Sequence, residues 1–131
     1  MTEVALALLG REGRWFLQRR DPGNPVLPGL WEFPGGKAEA DESPEEALRR
    51  ELLEEVGVRV VAASALPTVA GAVRLHPFLV EARGVPRTGL AWGWFTWEEL
   101  ARLPMPPANR RLLEGLSGDP RIPGARRAPG G

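Results

Sequence analysis

The chain has 131 residues, 43% of them hydrophobic and 26% charged, which suits one globular domain with a single core. It has no cysteine and one histidine, His76, which excludes disulfides, thiolate zinc sites, cysteine nucleophiles and histidine-rich metal cages, and argues against a serine triad. Formal net charge is zero, so neither a nucleic-acid track nor a membrane-binding face is expected, and phosphate binding must be local or mediated by metal.

The first element is the apolar run Glu3 to Leu9. Glu3 stands where a secretion signal would carry basic residues, and no apolar stretch approaches the ~20 residues that cross a bilayer. The expectation is a cytoplasmic protein. A Gly-containing turn at 11–13 leads to a second strand, Arg14 to Gln18. Asp21 to Gly29 holds three prolines and two glycines and reads as a loop. Trp31 to Pro34 is short and extended, and Gly35-Gly36 is expected to break it. A long helix follows from Ser43 to about Val56. Val58 to Ala62, Val69 to Val73, Leu75 to Ala82 and Trp92 to Phe95 favour strands. Thr96 caps a short helix over Trp97 to Leu103, Pro104 to Pro107 ends it, and Ala108 to Leu116 is helical again. Residues 1–117 form the domain. Residues 118–131, rich in Gly, Pro and Arg, read as a disordered tail. Strands before, around and after one long helix imply a mixed α/β sheet with helices packed on it.

The Ser43–Val56 helix is specified at both ends. Ser43, Pro44 and Glu46 form an S-x-x-E capping box with proline at the first helical position. Gly57 stands where a left-handed residue closes a helix. On a uniform α-helical wheel, Leu48, Leu52, Leu53 and Val56 form one apolar sector facing the sheet. Glu51, Glu54 and Glu55, spaced i, i+3, i+4, share a neighbouring face. At ~5 Å and an effective dielectric of ~20, each carboxylate pair costs roughly 3 kcal/mol. A bound divalent cation would remove that cost, and an oxygen-only ligand set selects Mg²⁺ or Mn²⁺. The alternative is a solvated acidic face.

The residues around the helix decide between the two. From Gly36 the chain reads G-x5-E-x7-R-E-U-x-E-E-x-G-U, with U aliphatic, filled by Gly36, Glu42, Arg50, Glu51, Leu52, Glu54, Glu55, Gly57 and Val58. A chance match from this chain's own composition is on the order of a few in a million. The pattern resembles a complete Nudix box, and the likeness extends over roughly residues 3 to 116. The resemblance implies an α/β/α sandwich and a magnesium- or manganese-dependent hydrolase of a diphosphate linkage in a small nucleotide. It implies that Glu54 and Glu55 are metal ligands, that Glu51 is a further ligand or the base that activates water, and that Arg50 orients a glutamate by ion pairing. Glu42 would tie the loop to the helix, and the Gly36 backbone would approach the metal.

LWEFPGGK before the box and PMPPANRRLL after it resemble MutT-type enzymes. These hydrolyse oxidised purine nucleoside triphosphates such as 8-oxo-dGTP to the monophosphate and pyrophosphate, a role in cleaning the nucleotide pool. The resemblance places Asn109 on the oxidised base, with a helix cap as its plainer role, and Arg20 near a substrate-contacting arginine. Phe33 and Phe78 are candidates for the base pocket, though aromatics on strands are more often core. One departure stands out. Many MutT-like enzymes supply another carboxylate from the loop before the late aromatic strand, whereas 83–93 contains no acid and Thr88 stands about there. Glu51 or Glu54 is then the favoured base. Other readings are a Nudix hydrolase of a cytosine nucleotide, ADP-ribose or a dinucleoside polyphosphate, and a non-catalytic module that recognises an oxidised base. The protein would be a monomer or homodimer.

Overall fold

The computed structural model describes residues 1–125. Among them, strands β1 (Glu3–Arg11), β2 (Arg14–Arg19), β3 (Trp31–Glu32), β4 (Gly35–Lys37), β5 (Arg59–Ala65), β6 (Arg74–Arg83) and β7 (Ala91–Phe95) build one mixed sheet. The helices are α1 (Pro44–Glu51), α2 (Trp97–Leu100) and α3 (Pro107–Leu116). Strand β1 is the hub: it runs parallel to β6 and antiparallel to β2 and β4. Strand β2 in turn pairs with β3 and β7, and β6 pairs with β5.

Side chains alternate across a strand, so β1 feeds two cores. Ala5, Ala7 and Leu9 pack with Phe16, Phe78 and Val80 beneath Ala47, Leu48, Leu52 and Val56. Leu6 and Leu8 point the other way, to Leu17, Phe33, Leu112, Leu113 and Leu116. The sheet is therefore covered on both faces, by α1 on one and by α2 and α3 on the other, as an α/β/α sandwich.

The Ser43 capping box is formed, with Ser43 accepting from the Glu46 N–H and Glu46 accepting from the Ser43 N–H. Beyond Glu51 the helix widens to a π-helical turn over Leu52–Val56, which closes at Gly57 in the left-handed region (φ 73). Leu52 and Val56 are buried, but Leu53, at the edge of the apolar sector, is 46% exposed. Placing Leu53 in the sheet-facing sector is corrected accordingly.

Other boundaries also move. Gly35 and Gly36 do not break the chain's extension; they form β4, with Ala5 opposite Gly36 and Leu6 opposite Gly35. A Cβ on Gly35 would lie 2.0 Å from the Ala5 carbonyl oxygen, so glycine permits the close pairing. Val69–Val73 is not a strand. It contributes one bridge, Val69 to Leu75, as the chain turns back into β6. Helix α2 stops at Leu100 and tight turns follow, with the Arg110 guanidinium donating to the carbonyls of Leu100, Ala101 and Leu103. Within 118–131, read as a tail, residues 118–125 fold back. The Gly118 N–H donates to the Ala125 carbonyl, and Ile122 and Ala125 are buried against the α3-side core. Residues 126–131 lie outside the described residues.

The contrast between these adjacent leucines makes a clear prediction. Leu52→Ala empties a fully buried site and should cost about 2–5 kcal/mol in urea unfolding. Leu53→Ala should stay within about 0.5 kcal/mol of wild type. Equal losses would mean that both leucines face the core.

Candidate active site

Arg50 organises the acidic face of α1. Its Nε and Nη2 grip both Glu42 oxygens, at 2.7 and 2.9 Å. Its Nη1 donates to Glu51 at 3.0 Å and to Glu54 at 3.3 Å, and Nη2 also reaches the Lys37 carbonyl at 3.2 Å. Glu42 in turn accepts from the Glu39 N–H, which closes the 39–42 turn. The helix face is thus not three uncompensated carboxylates, because a guanidinium sits between two of them. A bidentate pair of this kind is strong and directional. The Arg50 hydrogen bonds, helped by the Glu39 N–H, pull the Glu42 carboxyl down to about 2. Glu42 likewise raises Arg50 above its ordinary value.

Glu51 lies flush against β4, so that a Cβ on Gly36 would meet its Cδ at 2.5 Å. Glycine at 36 is what lets the carboxylate approach the strand. Glu55 turns away from Arg50 toward the sheet and accepts from Gln18 Nε2 at 2.6 Å. Burial pushes the Glu55 carboxyl up, and the charges of Glu51 and Glu32 add to this. The Gln18 hydrogen bond and the Gly35 N–H oppose the rise. Glu32 sits opposite Gln18 on β3. Burial raises it as well, against the attraction of Arg20, whose Nε is 3.1 Å away.

Among the described residues, no three acidic or histidine side chains converge as a ready-made metal cage. What fits a divalent cation is the donor chemistry. The donors are all oxygen, and the charges of Glu51, Glu55 and Glu32 collect where burial already disfavours the ionised Glu55. Positive charge there would favour the ionised forms.

The structure brings Gly36, Glu42, Arg50, Glu51 and Glu54 into one network, with Glu55 beside it and Gly57 closing the helix. It separates the proposed base-contacting residues from that network. Phe78 is core beneath α1, and Phe33, 1% exposed, is core on the opposite face. Both rings pack as core side chains, on opposite faces of the sheet. Asn109 is not a helix cap, since Pro106 holds that position. Its Oδ1 accepts from the Phe33 N–H at 3.0 Å, tying α3 to the end of β3. Arg20 is engaged with Glu32 and with the Val26 carbonyl.

Sequence reasoning passed over Gln18 and Glu32. Gln18 had a visible signal: it stands two residues after Phe16 on the same side of β2, next to the core, where a glutamine needs a partner. Glu32 sits in a two-residue strand, too short for its alternation to be read.

The Glu42–Arg50 pair predicts a pH dependence. A carboxyl held at about 2 in the fold, against 4.5 ordinarily, stabilises fully above pH 4.5 and loses that contribution as pH falls toward 2. The gap in urea midpoint between wild type and Glu42→Gln should be full at pH 6 and narrow steadily across that window. A gap that is unchanged near pH 2 would contradict the ion-pair origin.

Comparison with known proteins agrees with this arrangement. A family model described as NUDIX domain matches residues 1–116. The chain is 38% identical over 124 residues to the CTP pyrophosphohydrolase of Escherichia coli strain K12, covering 88% of this chain and 91% of that one. It is 35% identical to an 8-oxo-dGTP diphosphatase of Haemophilus influenzae, covering 87% and 90%. Among solved structures, the E. coli ORF135 protein superposes with a TM-score of 0.81 at 33% identity, covering 92% of this chain and 94% of that one. A MutT from a study of Aliivibrio salmonicida and Vibrio cholerae superposes at 0.77 with 30% identity, covering 88% and 95%. The chain belongs to the Nudix family of pyrophosphohydrolases.

Proposed function

We propose that this Nudix enzyme hydrolyses an oxidised purine nucleoside triphosphate of the 8-oxo-dGTP type to the monophosphate and pyrophosphate. Nudix enzymes generally use a divalent metal; here Mg²⁺ or Mn²⁺ would be held by Glu51, Glu54, Glu55 and the Gly36 carbonyl. When bound, the ion neutralises diphosphate charge and activates water for attack at phosphorus. The chain's own groups do the rest. Arg50 fixes Glu51 and Glu54 through its shared Nη1, and Glu42 fixes Arg50. Glu54, 61% exposed and held by Arg50 through one oxygen only, would take the proton of an incoming water on its other oxygen.

The observation that supports an oxidised purine is the orientation of Asn109. The Phe33 N–H commits Oδ1, which leaves Nδ2 as the free end of the amide among the described residues. An amino donor suits the carbonyl of a guanine-type edge and opposes the amino group of cytosine. A cytosine nucleotide is the second reading, favoured by the likeness to the E. coli CTP pyrophosphohydrolase.

The test is a panel of 8-oxo-dGTP, dGTP, CTP, 5-methyl-dCTP and ADP-ribose with Mg²⁺ added or chelated. The expected outcome is Mg²⁺-dependent pyrophosphate release, fastest from 8-oxo-dGTP, with kcat lowered about 10²–10⁴-fold in Glu54→Gln. Fastest turnover of CTP would select the second reading. Tight binding of oxidised guanine without turnover would leave only a recognition module. Gly36→Ala, whose Cβ displaces the Glu51 carboxylate, should lower kcat by about 100-fold. Unchanged kcat in that variant would separate Glu51 from the chemistry.

A further inference from the structure

Gln18 is one of the two buried polar or charged residues of the described chain, 1% exposed on the side of β2 that carries Phe16. A glutamine in that position must satisfy both ends of its amide. At one end Nε2 donates to Glu55 Oε1 at 2.6 Å, and at the other Oε1 accepts from Thr88 Oγ1 at 2.7 Å. Thr88 lies in the connection between β6 and β7, and its Oγ1 accepts from the Leu90 N–H at 3.2 Å.

The direction of each bond follows from the carboxylate. Because an ionised Glu55 can only accept, Gln18 must turn its amino group toward Glu55 and its carbonyl toward Thr88. The Gln18 carbonyl also only accepts, so the Thr88 hydroxyl gives it its proton and takes the Leu90 N–H on a lone pair. The chain of donors runs one way, from the Leu90 backbone to the Glu55 carboxylate. A threonine can set this polarity; a valine of the same shape cannot.

We propose that Thr88 and Gln18 are positioning residues for Glu55, forming a neutral relay that holds one carboxylate oxygen in place and leaves the other for a divalent cation. Thr88 occupies the loop where an acid was expected from the family resemblance, so the loop acts on the site through Gln18. This rests on the reading of Glu55 as a metal ligand. Groups that orient a ligand are commonly worth 10–100-fold in metal affinity.

The test uses the full chain without nucleotide and Mn²⁺ alone as the probe, with binding followed by electron paramagnetic resonance. Thr88→Val and Gln18→Met should each weaken Mn²⁺ binding by about 10-fold or more. Thr88→Ser, which keeps the hydroxyl, should restore it. The ¹H–¹⁵N signals of the Gln18 side-chain amide should shift in Thr88→Val and return toward wild type in Thr88→Ser. A role in folding alone would lower the melting temperature and leave affinity per folded molecule unchanged, which overturns the proposal. Glu55→Gln separates the two levels. If it binds Mn²⁺ as tightly as wild type, Glu55 is not a ligand and the relay proposal falls with that reading. If it loses binding while Thr88→Val and Gln18→Met keep it, the relay alone is wrong.

Discussion

The site depends on keeping several carboxylates closer together than they would choose to be. Glu51 is pressed against β4, Glu55 is turned into the sheet beside Gln18, and Glu32 faces them from β3. Arg50 offsets part of this charge, but its strongest bonds go to Glu42, in the loop rather than at the crowded corner. The result is a division of labour. The outer carboxylates are pinned by a guanidinium, while the inner one is raised by burial and by its acidic neighbours. Ion pairing stabilises the loop and helix; the residual negative charge is what a cation would meet.

Much of the local backbone serves that crowding. Gly35 brings β4 against β1, and Gly36 leaves room for Glu51, so two successive glycines permit two different close approaches. Glu54 and Glu55, consecutive in the π-helical turn, have different surroundings, one exposed beside Arg50 and one turned toward β2. Such turns are uncommon and frequently mark functional positions. The short segment from Trp31 to Lys37 also joins the two faces of the sheet. Glu32 looks toward α1, and the next residue, Phe33, gives its ring to the α3-side core and its N–H to Asn109.

The α1 box was legible in the sequence because its information is local. Capping residues, a C-terminal glycine and carboxylate spacing all act within one or two turns, and the structure forms both the cap and the left-handed close. The π widening was not legible, since a helical wheel assumes a constant turn; nor was the exposure of Leu53, which a wheel places at the edge of the apolar sector. Phe33 and Phe78 were candidates for a pocket because an aromatic on a strand does not by itself say whether its face is covered. Their burial is decided by β1 and β2, far off in sequence. The Thr88–Gln18–Glu55 relay joins residues 70 and 37 positions apart. No local pattern encodes a contact of that range. The turns at 118–125 were missed for a related reason: their composition is that of a tail, and only the burial of Ile122 and Ala125 gives them a place.

The central claim is that Glu55 is held in the fold at a cost that a divalent cation removes. Melting curves of wild type and Glu55→Gln at pH 7, with chelator and with saturating Mg²⁺, test it most directly. A carboxyl raised by burial destabilises the fold when ionised, so without metal Glu55→Gln should melt above wild type. Mg²⁺ should then raise the wild-type midpoint through linkage and leave the variant nearly unmoved. A variant that melts below wild type in chelator, or an equal Mg²⁺ shift in both proteins, would contradict it.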